Sequence, residues 1–481
     1  MTYQTVIWLE IHIKLNSKNK LFCRCANMQE FDDVEPNTNI CPVCTGQPGA
    51  LPVINQSPLD KAIQLWLALW CTVDQQSFFD RKSYFYPDLP MWYQITQLAR
   101  PTNIDGEVSF FVDKEFAESR TVGIRDAHIE IDTAKSNHQW DVVLLDFNRS
   151  GTPLVEIVSH PDFRTAEEVV AFLKQLQRIA RYNNVWDADM EKGQLRVDVN
   201  ISLRPEWQEE YGTRTETKNM NSFSAITRAI AYEVARQTEV LDQGWHIDQE
   251  TRGRDDATGT SYVMRSKENA MDYRYFPEPD LPPLDLSDAY LADMSATVDE
   301  WPYARILQYK TDYKFNKEYI NALINDVVMN TYFGQTVADG LDPSETAKRL
   351  VWPIQRWLTA QETSLDQVKF SREQYVDFLK LISDGSLANA QAKIVMTEML
   401  ETGTDPAQII EDKWLKPVGE EEISARLDQI FSDKPDLLED LQSGNMKPMW
   451  FVVGQVMKLS GGAANPGVVN GSIKKRVESG K

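Results

Sequence analysis

Apolar and polar residues alternate strictly in three stretches of the chain. In VIWLEIHIKL, Ile7, Leu9, Ile11, Ile13 and Leu15 share one parity, and Trp8, Glu10, His12 and Lys14 share the other. AHIEID sets Ile129 and Ile131 against His128, Glu130 and Asp132. QLRVDVNISLR sets Leu195, Val197, Val199, Ile201 and Leu203 against Arg196, Asp198, Asn200, Ser202 and Arg204. A period of two predicts strands, each burying an aliphatic face and displaying a chemically rich one. The period changes after Thr165. Thr165 and Glu168 make a capping-box pair, and Val169, Phe172, Leu173, Leu176 and Ile179 follow at helical spacing.

These patterns divide the chain. Up to about residue 290, short alternating runs broken by turn clusters predict a β-rich α+β domain, closed by the proline-rich FPEPDLPPLDL (276–286). Beyond it PYARILQYKTDYKF and REQYVDFLKLI carry helical spacing, and a milder break falls at ETGTDPAQ (401–408). The expected organisation is a mixed domain over 1–290, a helical domain over 291–404 and a small helical domain over 405–481. Neither an internal repeat nor a low-complexity segment interrupts it.

Composition narrows the function classes. With 42% hydrophobic and 25% charged residues the chain reads as a water-soluble globular protein. Its best apolar run, Ala62 to Val73, is too short and mixed to span a bilayer, so no membrane role is expected. MTYQTVIWLEIHIKL lacks a basic leader region and cleavage site, and four of the five cysteines cluster, which argues against a disulfide framework. The expected location is cytoplasmic. A net charge of −22 argues against nucleic acid on average only. From Met446 onward Lys447, Lys458, Lys474, Lys475, Arg476 and Lys481 face Glu478 alone, after acidic runs at Glu420–Glu422 and Asp436–Asp440. Charge leaves two readings for that segment: a frayed, solvated tail or a patch for an anionic partner.

Chemistry-bearing residues concentrate before residue 290. Cys23-x-Cys25 and Cys41-x-x-Cys44 have the spacing of a four-thiolate structural zinc site with no open coordination position, whereas Cys71 lies in an apolar run. Glu10 with His12 and His128 with Glu130 are carboxylate–imidazole pairs on strand faces, and Glu156 stands in the aliphatic PLVEIVSH. If these strands are neighbours, the groups converge on a divalent cation, with Mg²⁺ favoured by the oxygen donors; if not, they are an ordinary wet face. Arg196, Asp198 and Asn200 read as an electrophile, a metal or hydroxyl ligand and an amide in a row. TRTETKNMNSF adds Glu216, Lys218, Asn219 and Asn221, with Lys218 a candidate phosphate clamp, and RSKENAMDYRYFPEPD adds Arg265, Lys267, Asp272 and Arg274. Phosphate-loop, dinucleotide and nucleophile-elbow motifs are all missing, so an ATP site would lie on a sheet face.

Several longer strings carry a family resemblance: NTNICPVCTGQPGALPVIN (37–55), DRKSYFYPDLP (80–90), NRSGTPLVEIVSHPD (148–162), EKGQLRVDVNISLRP (191–205), TETKNMNSF, DYRYFPEPDLP (272–282) and GQVMKLSGGAANP (454–466). Over essentially its whole length the chain resembles the B subunits of the aspartyl/glutamyl-tRNA amidotransferases. The resemblance implies a cradle-shaped catalytic domain related to glutamine synthetase and guanidino kinases, a helical linker and a tRNA-binding helical tail. It implies ATP, Mg²⁺, phosphorylation of the side-chain carboxylate of Glu-tRNA(Gln) or Asp-tRNA(Asn), and displacement of phosphate by ammonia. The ammonia would come from a glutaminase A subunit, held by a small C subunit. On this basis Glu10, His12, Glu130, Lys82 and Asp198 are the expected catalytic residues, with Lys82 near the ammonia exit. Arg196, Asn200, Glu216, Lys218 and Asn219 are expected to bind the nucleotide, and Glu10, His12, His128, Glu130 and Glu156 the metal.

The chain also departs from the family pattern. Met91 replaces a lysine in YPDLPMWYQ, and tryptophan stands where the family has glycine at Trp8, Trp66, Trp70, Trp92, Trp245 and Trp450. Glycine is 22 of 481 residues, about 4.6%, against a usual value of about 7%. A UGA codon read as glycine in the source would account for both. Should Met91 and Trp8 be the residues in use, a tRNA-binding adaptor without catalysis is the competing expectation. Retention of Glu10, His12, His128, Glu130, Lys82 and Asp198 favours the enzyme.

Overall fold

A computed structural model describes residues 2–28, 34–186, 190, 193–220, 222–255, 260–266, 273–298, 302–415, 418–460 and 464–479. It contains two compact units, 1–308 and 309–481. The first is sheet-rich with helices, and the second is helical.

The first unit is organised by fourteen strands among the described residues. They are β1 (Tyr3–Lys14), β2 (Thr72–Val73), β3 (Asp80–Ser83), β4 (Tyr93–Thr96), β5 (Asn103–Phe111), β6 (Ser119–Ile131), β7 (Lys135–Gln139), β8 (Val142–Asp146), β9 (Pro153–Ser159), β10 (Leu195–Pro205), β11 (Thr215–Met220), β12 (Glu250–Asp255), β13 (Thr260–Ser266) and β14 (Phe276–Pro277). Nine form one sheet in the order β13-β12-β11-β10-β1-β9-β6-β5-β2. Its pairings are antiparallel except β11 with β12. The three strands expected from alternation are β1, β6 and β10, and β9 lies between β6 and β1. Strand neighbours share faces, so their aliphatic residues merge into one core: Ile7, Leu9, Ile11, Ile13, Ile129, Val155, Ile157, Val199 and Ile201 are all fully buried. Each such side chain contributes about 1.5–3 kcal/mol on burial.

Helices cover that apolar face. They include α1 (Gln56–Ala68), α2 (Ala166–Tyr182) and α3 (Phe223–Asp242). The α2 start is the expected capping box: the Glu168 amide donates to the Thr165 side chain, and Glu168 accepts from the Thr165 amide. Val169, Phe172, Leu173 and Leu176 of α2 are fully buried. The opposite, polar face of the sheet is partly roofed by a small sheet, β14-β3-β4. Gln94 donates to the Ile131 carbonyl at 2.8 Å and Thr96 to Glu130 at 3.4 Å, fixing β4 beside the end of β6. A bidentate ion pair of Arg81 with buried Glu278, 2.7 Å at both nitrogens, fastens β14 to β3.

In the second unit the helix Arg372–Ser383 begins with a capping box, Ser371 with Gln374. The basic C-terminal segment is folded and not frayed. Helices Met449–Leu459 and Pro466–Ser479 enclose a core of Val452, Val456, Val469 and Ile473 with Ile423 and Leu427. Arg476 is committed inside it, donating to Ser424 and paired with Asp428 at 2.8 Å. Lys447, Lys458, Lys474 and Lys475 remain exposed.

Backbone geometry bears on the tryptophans. Among the described residues, four of the eleven non-glycine residues with left-handed φ are tryptophan: Trp70 (54°), Trp92 (63°), Trp140 (51°) and Trp414 (55°). Trp70 follows the C-cap of α1, where its amide donates to the Leu67 carbonyl and that of Cys71 to Trp66. Trp414 repeats this after the helix Pro406–Asp412, with amides of Trp414 and Leu415 donating to Glu411 and Ile410. These are Schellman closures, which favour glycine, and glycine does fill the matching position at Gly244 and Gly444. Trp70 and Trp414 are 61% and 79% exposed, so little packing compensates the strain. Trp66 is different: it is fully buried, with its indole N–H lacking an acceptor.

Trp70→Gly and Trp414→Gly are therefore expected to stabilise the fold by about 0.5–1 kcal/mol each, after glycine's extra unfolded-state entropy is deducted, and so to raise the thermal midpoint. Trp66→Gly should instead lower it, since emptying a buried aromatic site costs about 3–5 kcal/mol. Differential scanning calorimetry compares the three. The intact mass of the protein isolated from its source reads the codon directly, because each glycine in place of tryptophan lowers it by a fixed increment.

Candidate functional site

Strand register carries the polar residues into rows. His12 of β1 lies opposite Glu156 of β9 on one side and Arg196 of β10 on the other, and His128 of β6 lies opposite Glu156. One step along, Glu10 faces Asp198; one further, Trp8 faces Asn200, which in turn faces Glu216 of β11. The neighbour order thus meets the condition left open by alternation alone: the strands are adjacent and their polar residues share one face.

Two three-residue groups result. In the first, His12 Nε2 lies 3.4 Å from both Glu130 and Glu156, and His128 Nε2 lies 3.4 Å from Glu156. In the second, one ligand atom each from Glu10, Asp198 and Glu216 come within 4.8 Å of one another, as they do for His12, Glu130 and Glu156. Asn200 donates to Glu10 at 3.1 Å. Lys218 sits between Asp198 and Glu216 at 2.6 and 2.8 Å. Both sets offer hard oxygen donors of the kind that hold Mg²⁺.

Members of both groups, His12 and Glu130 of the first and Asp198 of the second, line one cavity of about 340 Å³ together with Lys82, Arg196 and Lys218. Burial opposes a charged His12, but its hydrogen bond to Glu156 and the charges of Glu156, Glu130 and Asp198 outweigh that and raise its pKa to about 9. His128 is raised to about 10, against burial, by Glu156, Asp126 and Glu130. Conversely Glu156, despite burial, is held well below the usual carboxylate range by His128 and His12. Lys82 reaches in from β3 with its ammonium 5.0 Å from the Tyr273 ring centre. Tyr275, Glu130, Glu156 and Tyr84 raise its pKa against burial.

Several of these partners have no role that sequence patterning assigns. Asp132 accepts from Arg196 at 2.9 and 3.3 Å and lies 3.4 Å from Arg149, so it anchors the Arg196 guanidinium at the cavity. Asp126 stands 3.7 Å from His128 Nδ1. Parity with His128 and Glu130 is the available signal for both; nothing local announces Arg149 or the roof residues Tyr84 and Gln94. Arg274 is exposed, with left-handed φ. Lys267, Asp272 and Asn221, and the side chains of Asn219 and Arg265, lie outside the described residues.

A separate cluster gathers all four expected cysteines. Cys23, Cys25, Cys41 and Cys44 bring their Sγ atoms within 4.8 Å of one another, with Cys41 and Cys44 at 3.8 Å. That separation equals the edge of a tetrahedron with metal–sulfur bonds of about 2.3 Å. The cluster is compatible with a structural metal. A hydrogen bond with Cys23 lowers the Cys44 thiol to about 5 against its burial, helped by the charge of Lys20, whose Nζ lies 3.6 Å away. The Cys41–Cys44 turn packs against the Leu89–Trp92 turn so closely that a Cβ on Gly46, whose φ is +65°, would lie 2.7 Å from Met91. Cys71 is buried apart, beneath β5.

Residues 5–292 match the GatB/GatE catalytic domain family, and residues 331–477 match the GatB domain family. The chain is 41% identical to the B subunit of the aspartyl/glutamyl-tRNA(Asn/Gln) amidotransferase of Brevibacillus brevis over 99% of both chains. It is 40% identical to those of Caldicellulosiruptor bescii, over 99% of this chain and all of that one, and of Elusimicrobium minutum, over 99% of both. Among the described residues no helix is long and apolar enough to cross a membrane.

Cys23→Ser or Cys44→Ser should each release about one metal ion per chain and lower the melting temperature, because structural metal binding is folding free energy. Elemental analysis of unmutated and substituted protein checks it; unmutated protein purified without chelator and still free of metal would refute the assignment.

Proposed function

Because the chain belongs to the B-subunit family of the aspartyl/glutamyl-tRNA(Asn/Gln) amidotransferases, we propose that it activates the side-chain carboxylate of a misacylated tRNA for amidation. The observation that carries this reading is the gathering of two acid groups, Lys82, Arg196 and Lys218 around one cavity. A carboxylate is a poor acyl donor. Its oxygen attacks the γ-phosphorus of ATP and ADP departs; ammonia then attacks the acyl carbon and phosphate departs, leaving the amide. His12, on losing its proton, would hold one Mg²⁺ with Glu130 and Glu156, and Glu10, Asp198 and Glu216 would hold a second; such ions would supply positive charge against that building on the transferring phosphoryl group. Arg196, steadied by Asp132, and Lys218 bind phosphate oxygens, with Asn200 beside them and Asn219 a further nucleotide ligand by family resemblance, and Lys82 meets the incoming ammonia.

The remainder of the proposal follows the same line. The glutaminase chemistry belongs to an A subunit, joined through a small C subunit, in the cytoplasm. The metal at the four cysteines is zinc. A mostly antiparallel sheet with helices on one face and acids on the other supports a cradle of the glutamine synthetase kind. The division into 1–290, 291–404 and 405–481 assigns catalysis, linkage and tRNA binding. Trp8 favours a second reading, a tRNA-binding adaptor, because its indole flanks Asn200 and Glu10 in the row where a nucleotide would lie. Ammonia-dependent transamidation of each misacylated tRNA by the assembled complex separates the two, since an adaptor gives none.

Glu10→Gln and Glu130→Gln should each slow ATP-dependent turnover at least ~100-fold, as loss of several kcal/mol of charge stabilisation requires, with tRNA affinity nearly intact. Near-normal turnover in either would make the polar face merely solvated. Removal of the chain from Met446 onward should weaken tRNA binding and flatten its salt dependence, by somewhat under one unit of slope for each phosphate no longer engaged. Equal affinities and slopes across a salt series would place tRNA selection elsewhere.

A further inference from the structure

The second acid group already holds a cation, and it is a side chain. Lys218 Nζ lies 2.6 Å from Asp198 Oδ2 and 2.8 Å from Glu216 Oε1, and with Glu10 these carboxylates form the three-acid set. In the first group imidazoles take that role, with His12 and His128 against Glu130 and Glu156. A local irregularity aims the lysine. β10 and β11 pair Val197 with Met220 and Val199 with Thr217, so β11 carries one extra residue opposite Asp198. Such a bulge redirects side chains, and here Lys218 turns onto the acids and not along the regular ladder. The same ammonium borders the cavity that Arg196 also lines.

Two cations of this size and charge do not share the same oxygens. A divalent ion needs carboxylate oxygens at about 2.0–2.6 Å, Lys218 now engages one oxygen each of Asp198 and Glu216, and the ion repels an ammonium at ion-pair distance. Resting on the phosphoryl-transfer reading above, we propose that Lys218 is a tethered counter-ion: it holds Asp198 and Glu216 together until a divalent cation replaces it. The displaced ammonium then swings on its four-carbon stem to an anionic phosphate in the cavity. Metal arrival thereby creates the phosphate clamp, which couples the two ligands without movement of the sheet. Lys218 is thus a positioning residue before metal binds and a phosphate ligand afterwards.

The test uses full-length chain in its assembled complex, with Mn²⁺ as the probe and no nucleotide. Glu130→Gln is placed in the background to silence the first group, and binding is read by electron paramagnetic resonance. Lys218→Met, which keeps the stem and removes the charge, should bind Mn²⁺ at least ~10-fold more tightly than its parent, because a like charge at ion-pair distance is gone. Lys218→Arg, which keeps a cation, should stay near the parent value and serves as the second variant if the methionine protein fails to fold. The nucleotide arm runs in parallel: without Glu130→Gln, Lys218→Met should raise the KM for ATP with a smaller change in kcat. Equal or weaker Mn²⁺ binding by Lys218→Met overturns the proposal, as does tighter binding by Lys218→Arg equal to that of the methionine variant. Tightened Mn²⁺ binding by Lys218→Met, with the unmutated complex never transamidating, would instead leave the counter-ion intact and remove the proposed function.

Discussion

Carboxylates gathered on one sheet face repel one another, and most of the polar architecture around the cavity exists to offset that repulsion. Glu156 is bridged by His12 and His128, Asp132 by Arg196 and Arg149, and Asp198 and Glu216 by Lys218. Each of these acids is matched by a cation within ion-pair reach, and for Glu156 and Asp132 the pairing keeps the carboxylate ionised despite burial. Removing one partner from such a pair leaves an uncompensated charge, which costs more than the pair contributes. The face is therefore held in a state that welcomes divalent cations and polyanions together. It would be unstable as a bare acid cluster.

The same balance links the cysteine cluster to the cavity. Fully buried Lys20 faces Cys44 and also donates to the carbonyls of Asn39 and Phe147. Ser150 donates to the Cys44 carbonyl. The Gly151 amide donates to the Asp132 carbonyl, while its own carbonyl accepts from the Leu21 amide. The segment 147–152 therefore rests on the thiolate knuckle and leads directly into β9, which carries Glu156. A metal there would brace the acid row through this segment, as supporting shells orient functional ones elsewhere.

Much of this was legible in the sequence, for a simple reason. Period-two alternation states which residues share a face, so Glu10, His12, His128, Glu130, Arg196 and Asp198 could be named before any fold was known. Alternation does not state which strands are neighbours, because β1 meets partners more than 140 residues away; the family resemblance supplied what spacing left open. Three features had no sequence signal. The Asp132–Arg149 pairing depends on a loop returning to β6, the aim of Lys218 depends on a bulge, and buried Lys20 reads as a solvated charge. Trp70 and Trp92 stood out already as replacements of glycine, whereas Trp140 and Trp414 became notable only through their φ angles.

The position of β1 imposes a timetable on synthesis. It precedes β2 to β14 in the chain, yet it lies inside the sheet between β9 and β10, and its longest pairing joins Tyr3 to Pro205. At about 5–20 residues per second, β1 waits roughly 10–40 s on the ribosome before its second edge is covered. Through that interval Ile7, Leu9, Ile11 and Ile13 form an unpaired aliphatic ribbon, the kind of edge that pairs with other chains. Closure of the roof must wait longer still, until Glu278 emerges to meet Arg81. An acid row assembled from distant strands thus makes the nascent chain dependent on whatever shields β1.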